Sequence, residues 1–205
     1  MSVCLNWAKG GYQRNRLIKE IDMGRLYLPT GRLVCCDPFS VGEAGPLDLE
    51  LTPGHYVVRL VQAPMDIWGE RVALAAVIFN EDEPDSATPA QRQNMPDKAG
   101  IHVESGLACF TDEDTRRLFA NRLTAFQHER EDTSYYEAVL EKEFAASASP
   151  DGLQTGNRNM HFPVRGDQRN IAMFASGLGD GIYQAEWLMA GTSPCRLVVD
   201  FGVLK

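Results

Sequence analysis

The chain has 205 residues, 44% of them hydrophobic and 23% charged, with 20 Lys and Arg against 28 Asp and Glu for a formal net charge of −8. These proportions exclude collagen-like, fibrous and wholly disordered proteins. At this length folding buries about 70% of the unfolded surface, so a core needs no staples, and the acidic balance speaks against a general nucleic-acid binder, which needs a basic face.

The opening stretch MSVCLNWAKGGYQRNRLIKEIDMG has no continuous apolar run of the kind a secretory signal carries. No stretch of the chain approaches the ~20 apolar residues that a membrane-spanning helix needs. A cytoplasmic protein that does not engage a membrane is therefore expected. From Met23 to Phe79 strands and turns alternate. Gly24–Leu28, the turn Pro29-Thr30-Gly31 and Arg32–Cys36 predict a hairpin. Asp37-Pro38 ends its second strand, because proline cannot donate to a ladder. Leu47–Leu51 alternates strictly and predicts a further strand; Tyr56–Val61 and Arg71–Phe79 follow. The last of these is nearly all apolar, so it is expected to be central and covered on both faces.

Residues 80–99, NEDEPDSATPAQRQNMPDKA, carry three prolines and the acids Glu81, Asp82, Glu83 and Asp85, which predicts a long exposed loop. Thr111 followed by Asp112, Glu113 and Asp114 predicts a helix start, and Leu118, Phe119, Leu123 and Phe126 form its apolar stripe. Ser134 with Glu137 spells a capping box for a second helix, with a stripe of Tyr135, Tyr136, Val139, Leu140 and Phe144. A connector over 147–159 leads to strands at Met160–Val164, Ile171–Ala175, Ile182–Ala190 and Arg196–Leu204, the last apolar enough to be paired inside the sheet. The expected architecture is a single α+β domain over 1–205, mostly antiparallel and strand-rich. It has an N-terminal segment over 1–22 and two adjacent amphipathic helices, at about 111–146, packed on the sheet.

Ser176-Gly177-Leu178-Gly179-Asp180-Gly181 is the densest glycine cluster. It is not GxGxxG, since Ile182 occupies the place of the third glycine and an apolar strand follows where a phosphate site needs a helix N-terminus. It predicts a tight hairpin between Ile171–Ala175 and Ile182–Trp187. Asp200-Phe201-Gly202 spells the kinase metal-binding triplet without the glycine-rich loop, strand lysine or catalytic loop that a kinase needs. The cysteines Cys4, Cys35, Cys36, Cys109 and Cys195 form no CxxC pair, and His55, His102, His128 and His161 are scattered, so buried reduced thiols are expected, with no metal and no cofactor. No DxDxDG loop is present to hold calcium. Asp37, Glu104, Asp112, Asp180 and Glu186 fall at strand or loop ends, and His102 and Glu104 share one strand face. Cys109 and His102 supply a nucleophile and a base, but no spacing selects the pair, so no catalytic residue is assigned.

Six blocks occur in order: LPTGRLVCCDPF (Leu28–Phe39), PGHYVVRL (Pro53–Leu60), RVALAAVIF (Arg71–Phe79), ESGLACF (Glu104–Phe110), ASGLGDGIY (Ala175–Tyr183) and LVVDFGVL (Leu197–Leu204). Together they resemble the bacterial family designated domain of unknown function 4241. Glu104-Ser105-Gly106 matches the family's acid-Ser-Gly, whereas Gln184 and Ala185 stand where its glycine block continues with a proline and an aromatic. The resemblance implies one domain over nearly the whole chain and transfers no catalytic residue.

Two functions are expected from the residues. The first is a non-enzymatic protein-binding protein, an immunity protein that neutralises a cognate bacterial toxin, since acidic surfaces complement toxins that handle anionic substrates. Glu81, Asp82, Glu83, Asp85 and Asp180 would meet that partner. The alternative is a small enzyme or ligand-binding protein with a pocket walled by Asp37, Glu104, Ser105, Gly179 and Asp180, near the Gly177–Gly181 loop.

Overall fold

The structure, a computed structural model, describes residues 2–12, 17–94, 100–146 and 158–204. A short helix, α1 (Val3–Ala8), precedes β1 (Lys19–Leu28), β2 (Leu33–Cys36), β3 (Gly54–Pro64), β4 (Glu70–Ile78), β5 (Ser86–Pro89), β6 (Ile101–Val103) and β7 (Leu107–Asp112). Helix α2 (Glu113–Glu129), a π-helical turn at Tyr136–Leu140 and α3 (Glu141–Ala146) follow. The chain closes with β8 (Arg158–His161), β9 (Ile171–Ala175), β10 (Gly181–Ala190) and β11 (Ser193–Asp200).

All strand pairs are antiparallel and fall into two sheets. The larger runs β1-β3-β4-β11-β10-β5, with β6 on β10, and the smaller runs β2-β7-β9-β8. Side chains alternate across a strand, and both sheets use that period to bury two faces. Ala75 and Val77 of β4 join Phe110 of β7 and Phe174 of β9 in the core between the sheets. Leu74 and Ala76 face outward instead, onto Cys4, Leu5 and Trp7 of α1. β4 is therefore central and covered on both faces, as its composition requires. On the far side of the smaller sheet, Cys109 and Met173 pack against Phe119, Tyr135, Leu140 and Phe144 of the helical layer. The protein is thus α+β, with both helices on one sheet face.

The capping box forms as the sequence predicts. Ser134 Oγ accepts from Glu137 N at 3.2 Å, and Glu137 Oε2 accepts from Ser134 N at 3.0 Å. The first helix begins one residue later than expected: Thr111 stays in β7, and Asp112 caps α2 by accepting from Asp114 N at 2.9 Å. The C-terminal strand lies between β4 and β10, paired on both sides.

Several expected pairings are corrected. Gly24–Leu28 and Arg32–Cys36 do not form a hairpin: β1 pairs with β3 and β2 pairs with β7 in the other sheet. The turn between them crosses the sandwich, held by Asp112 Oδ2, which accepts from Thr30 N at 3.0 Å and Thr30 Oγ1 at 2.8 Å. Ile171–Ala175 and Ile182–Trp187 likewise belong to different sheets. Their glycine-rich link is required because Gly177, at φ +61°, lies so close to β4 that a Cβ would sit 2.5 Å from Val72 O. Leu47–Leu51 is not a ladder strand. Leu47 makes one bridge to Arg92, and its alternation serves to bury Leu47 and Leu51 while Asp48 Oδ1 accepts from Trp187 Nε1 at 2.8 Å. The 80–99 segment is not wholly loop, since β5 pairs with β10 inside it. The 147–159 connector is shorter than expected at its end, where Arg158 and Asn159 already belong to β8; residues 147–157 and 95–99 lie outside the described residues.

Candidate functional site

A cavity of about 600 Å³ opens where the two sheets meet beside β6. One wall comes from Cys35 and Cys36 at the end of β2 and from Ser40, Glu43 and Ala44 in the loop that follows. The facing wall is Gly100, His102 and Glu104, with Ile182 of β10. Register places them: β6 pairs with β10 so that His102 lies opposite Ile182, and period 2 buries Ile101 and Val103 while turning His102 outward. Gly100 sits at φ +83° with Tyr183 O 2.7 Å from where a Cβ would stand, which lets the backbone pass.

Arg92 completes the pocket. Its segment is clamped against residues 43–48: Asp48 N donates to Gln91 O at 2.8 Å, Gln93 N to Pro46 O at 2.9 Å and Asn94 Nδ2 to Glu43 O at 3.2 Å. Arg92 Nε is buried, with no hydrogen-bond partner among the described residues. The neighbouring Cys35 thiol is held well above its ordinary pKa, chiefly by burial and further by Cys36, while Arg92 opposes the shift. It therefore stays a neutral thiol. His102 Nδ1 and Glu104 Oε1 approach to 3.6 Å with both side chains exposed.

Of the residues expected at a ligand pocket, the structure brings Glu104 to this cavity and places the others elsewhere. Asp37 is 1% exposed, and its carboxylate clasps three backbone N–H groups: Phe39 at 2.8 Å on Oδ1, Glu104 at 2.9 Å and Ser105 at 2.7 Å on Oδ2. Asp37 thereby fixes the backbone from which Glu104 projects. Ser105 Oγ accepts from Leu107 N at 3.3 Å and borders a separate hollow of about 280 Å³ beside Phe39 and Tyr136. Gly179 O accepts from Ser176 Oγ at 2.6 Å and Tyr183 OH at 2.8 Å, closing its own loop, and Asp180 is exposed beside it.

The expected partner-binding acids separate into two patches. Glu81, Asp82 and Glu83 are exposed. Asp85 accepts from Gly191 N at 2.8 Å and Ser86 Oγ at 2.8 Å, contacts that hold its carboxyl below the usual range. This patch lies at the β10–β11 turn, whereas Asp180 precedes the other end of the ten-residue β10, a separation of roughly 33 Å along the strand. Of the other acids, Asp112 is the α2 cap, and Glu186 Oε2 is buried with no hydrogen-bond partner among the described residues.

Sequence reasoning missed Arg92, Glu43 and Cys35 as pocket residues. It also missed a buried polar chain in the helical layer. Arg122 Nε donates to Tyr135 OH at 3.2 Å, Tyr135 OH lies 3.1 Å from His161 Nε2, and His161 Nδ1 lies 2.8 Å from Glu143 Oε2, which also accepts from Asn159 Nδ2. A neutral imidazole satisfies this chain by donating from Nδ1 to Glu143 and accepting the Tyr135 proton at Nε2. Burial lowers the His161 pKa although Glu143 works against it. The order hydroxyl, imidazole, carboxylate is that of a nucleophilic triad, but burial raises the Tyr135 pKa and its oxygen is already engaged by Arg122. The chain fastens α2 and α3 to β8.

Among the described residues no group of three or more His, Cys, Asp and Glu is arranged to hold a metal ion, and no helix is long and apolar enough to cross a membrane. Comparison with curated proteins and with solved structures finds no match. A family model described as protein of unknown function (DUF4241) matches residues 26–188, more than three quarters of the chain. That span holds the blocks from Leu28 to Tyr183 and leaves the last, Leu197–Leu204, beyond it. The chain belongs to the DUF4241 family.

Proposed function

We propose that this protein binds a small polar molecule in the pocket formed by β2, Glu43, Arg92 and β6. The observation that carries the reading is the lining of the cavity, in which half-buried Arg92 stands with exposed Glu43, His102 and Glu104. A guanidinium and carboxylates converging on one concave site suit a polar ligand, whose charged groups they can pair and orient. The cavity of about 600 Å³ falls within the roughly 300–1,000 Å³ of small-molecule sites. Burial holds the Cys35 thiol beside Arg92 protonated, which makes it a poor nucleophile. The test is saturation-transfer NMR with a pool of common metabolites. Signals from the intact chain that disappear in Arg92→Met support the reading; no signal from any compound refutes it.

A second reading, binding of a protein such as a cognate toxin in the cytoplasm, is favoured by the exposed run Glu81-Asp82-Glu83. A like-charged run of this kind speeds encounter with a basic partner. Reversing these three charges should slow association with a captured partner and flatten its salt dependence. Unchanged rates would remove this run from the contact. Asp180, at the far end of β10, would belong to a different surface.

A further inference from the structure

The distribution of charge in the Arg92 pocket specifies its occupant more narrowly, on the premise that the pocket binds a small molecule. Arg92 is half-buried, whereas Glu43, His102 and Glu104 are exposed. The cation therefore marks the inner part of the cavity and the two carboxylates mark its mouth. Arg92 has no carboxylate at ion-pair distance and no hydrogen-bond acceptor for Nε among the described residues, and the adjacent Cys35 is a neutral thiol.

A partly desolvated guanidinium is satisfied best by a planar oxyanion, which its fork of N–H groups matches. That points to an anionic group on the ligand. The mouth then limits how much negative charge is admitted. Glu43 and Glu104 repel a polyanion such as a nucleotide or a sugar phosphate, and they attract a cationic group on the ligand's other end. We infer that the pocket takes a zwitterion with one carboxylate and one ammonium group, an α-amino acid or short peptide, with its carboxylate on Arg92 and its ammonium toward Glu43 and Glu104. The cavity leaves room beyond these two groups for a large side chain or a second residue. Ile182, 65% exposed on the pocket wall, supplies an apolar surface for it.

The experiment is saturation-transfer NMR and melting on the full chain with five probes: pooled L-amino acids, pooled dipeptides, the deaminated carboxylates of the same amino acids, the decarboxylated amines and inorganic phosphate. Binding of amino acids or dipeptides is expected, weakened about tenfold or more in Arg92→Met and in the Glu43→Gln, Glu104→Gln double variant. A circular-dichroism melt checks that each variant folds. Should Arg92→Met prove unfolded, Arg92→Lys, which keeps the charge but loses the fork, is expected to bind more weakly than the parent. Equal binding of the deaminated carboxylates, or preference for phosphate, overturns the zwitterion while leaving small-molecule binding intact. Binding of amino acids that neither set of variants weakens overturns the assignment to this pocket. Absence of binding by every probe, with the metabolite pool also silent, overturns both the zwitterion and the reading beneath it.

Discussion

Replacing Asp37 by Asn would remove one negative charge and turn one of two acceptor oxygens into a donor. In the parent, Oδ2 takes the N–H groups of Glu104 and Ser105, and Oδ1 takes that of Phe39. However the amide turns, at least one buried N–H then faces an NH₂ group. If the remaining oxygen keeps the Glu104 and Ser105 pair, Phe39 N–H is orphaned, at about 1–3 kcal/mol, and the two retained bonds lose their charge assistance, at roughly 0.5–1 kcal/mol each. The sum is about 2–5 kcal/mol. At about 2–4 °C per kcal/mol for a chain of this size, the melting midpoint should fall by about 4–20 °C. Scanning calorimetry at pH 7 reads it directly. Asp180→Asn is the control: the residue is exposed, so its change should stay within about 0.5 kcal/mol. A midpoint for Asp37→Asn within about 2 °C of the parent would show that the clasp does not hold β2 to the β6–β7 turn. The carboxylate would then be retained for function at a stability cost.

The buried imidazole should make the helical layer acid-sensitive. His161 has a folded-state pKa below its ordinary 6.5, so its contribution is present above that value and is lost as the pH falls below it. Urea midpoints measured from pH 7.5 to 5 should decline, and His161→Gln should flatten the decline; an equal slope in the variant would contradict it. Phe201 is fully buried between Phe174 and Tyr183, so Phe201→Ala should cost about 3–5 kcal/mol in a denaturant titration. Removing residues 201–205, which takes away Phe201 but leaves β11 whole, should unfold the protein, and an unchanged melting curve would count against the Phe201 packing. Gly177→Ala forces a Cβ against Val72 O at positive φ and should cost about 1–3 kcal/mol from the backbone alone; a neutral melt would mean that the link is looser than its geometry.

What the sequence revealed and what it hid divides by range. The Ser134–Glu137 box, the α2 stripe and the double burial of β4 are local patterns, and all three appear in the structure. Turn chemistry was legible too, but a turn specifies a reversal and not the sheet into which the chain returns. Pro29–Gly31 and Gly177–Gly181 therefore read as hairpins although both carry the chain across the sandwich. Asp112 Oδ2, which decides the first crossing, lies 82 positions from Thr30. The alternation of Leu47–Leu51 marked burial correctly and pairing wrongly, because period 2 reports which side chains go inward and says nothing about a ladder partner. Arg92 was illegible for another reason. It sits among polar loop residues, and what distinguishes it is its place in the pocket wall, set by contacts with residues 43–48 that no local pattern displays.

β5 and β6 occupy successive stretches of β10, Glu186–Met189 and Gly181–Tyr183. Between them Ala90 N donates to Ala185 O at 2.8 Å, and Ile101 lies opposite Tyr183. The chain thus leaves β10 after Ala90 and is paired with it again at Ile101, while that strand advances only from Ala185 to Tyr183. Doubling the length of such an excursion adds only about 0.6 kcal/mol of closure entropy, and both anchoring ladders are untouched. Insertions or exchanged segments there would consequently reshape the pocket wall beside Arg92 while the sandwich beneath keeps its register.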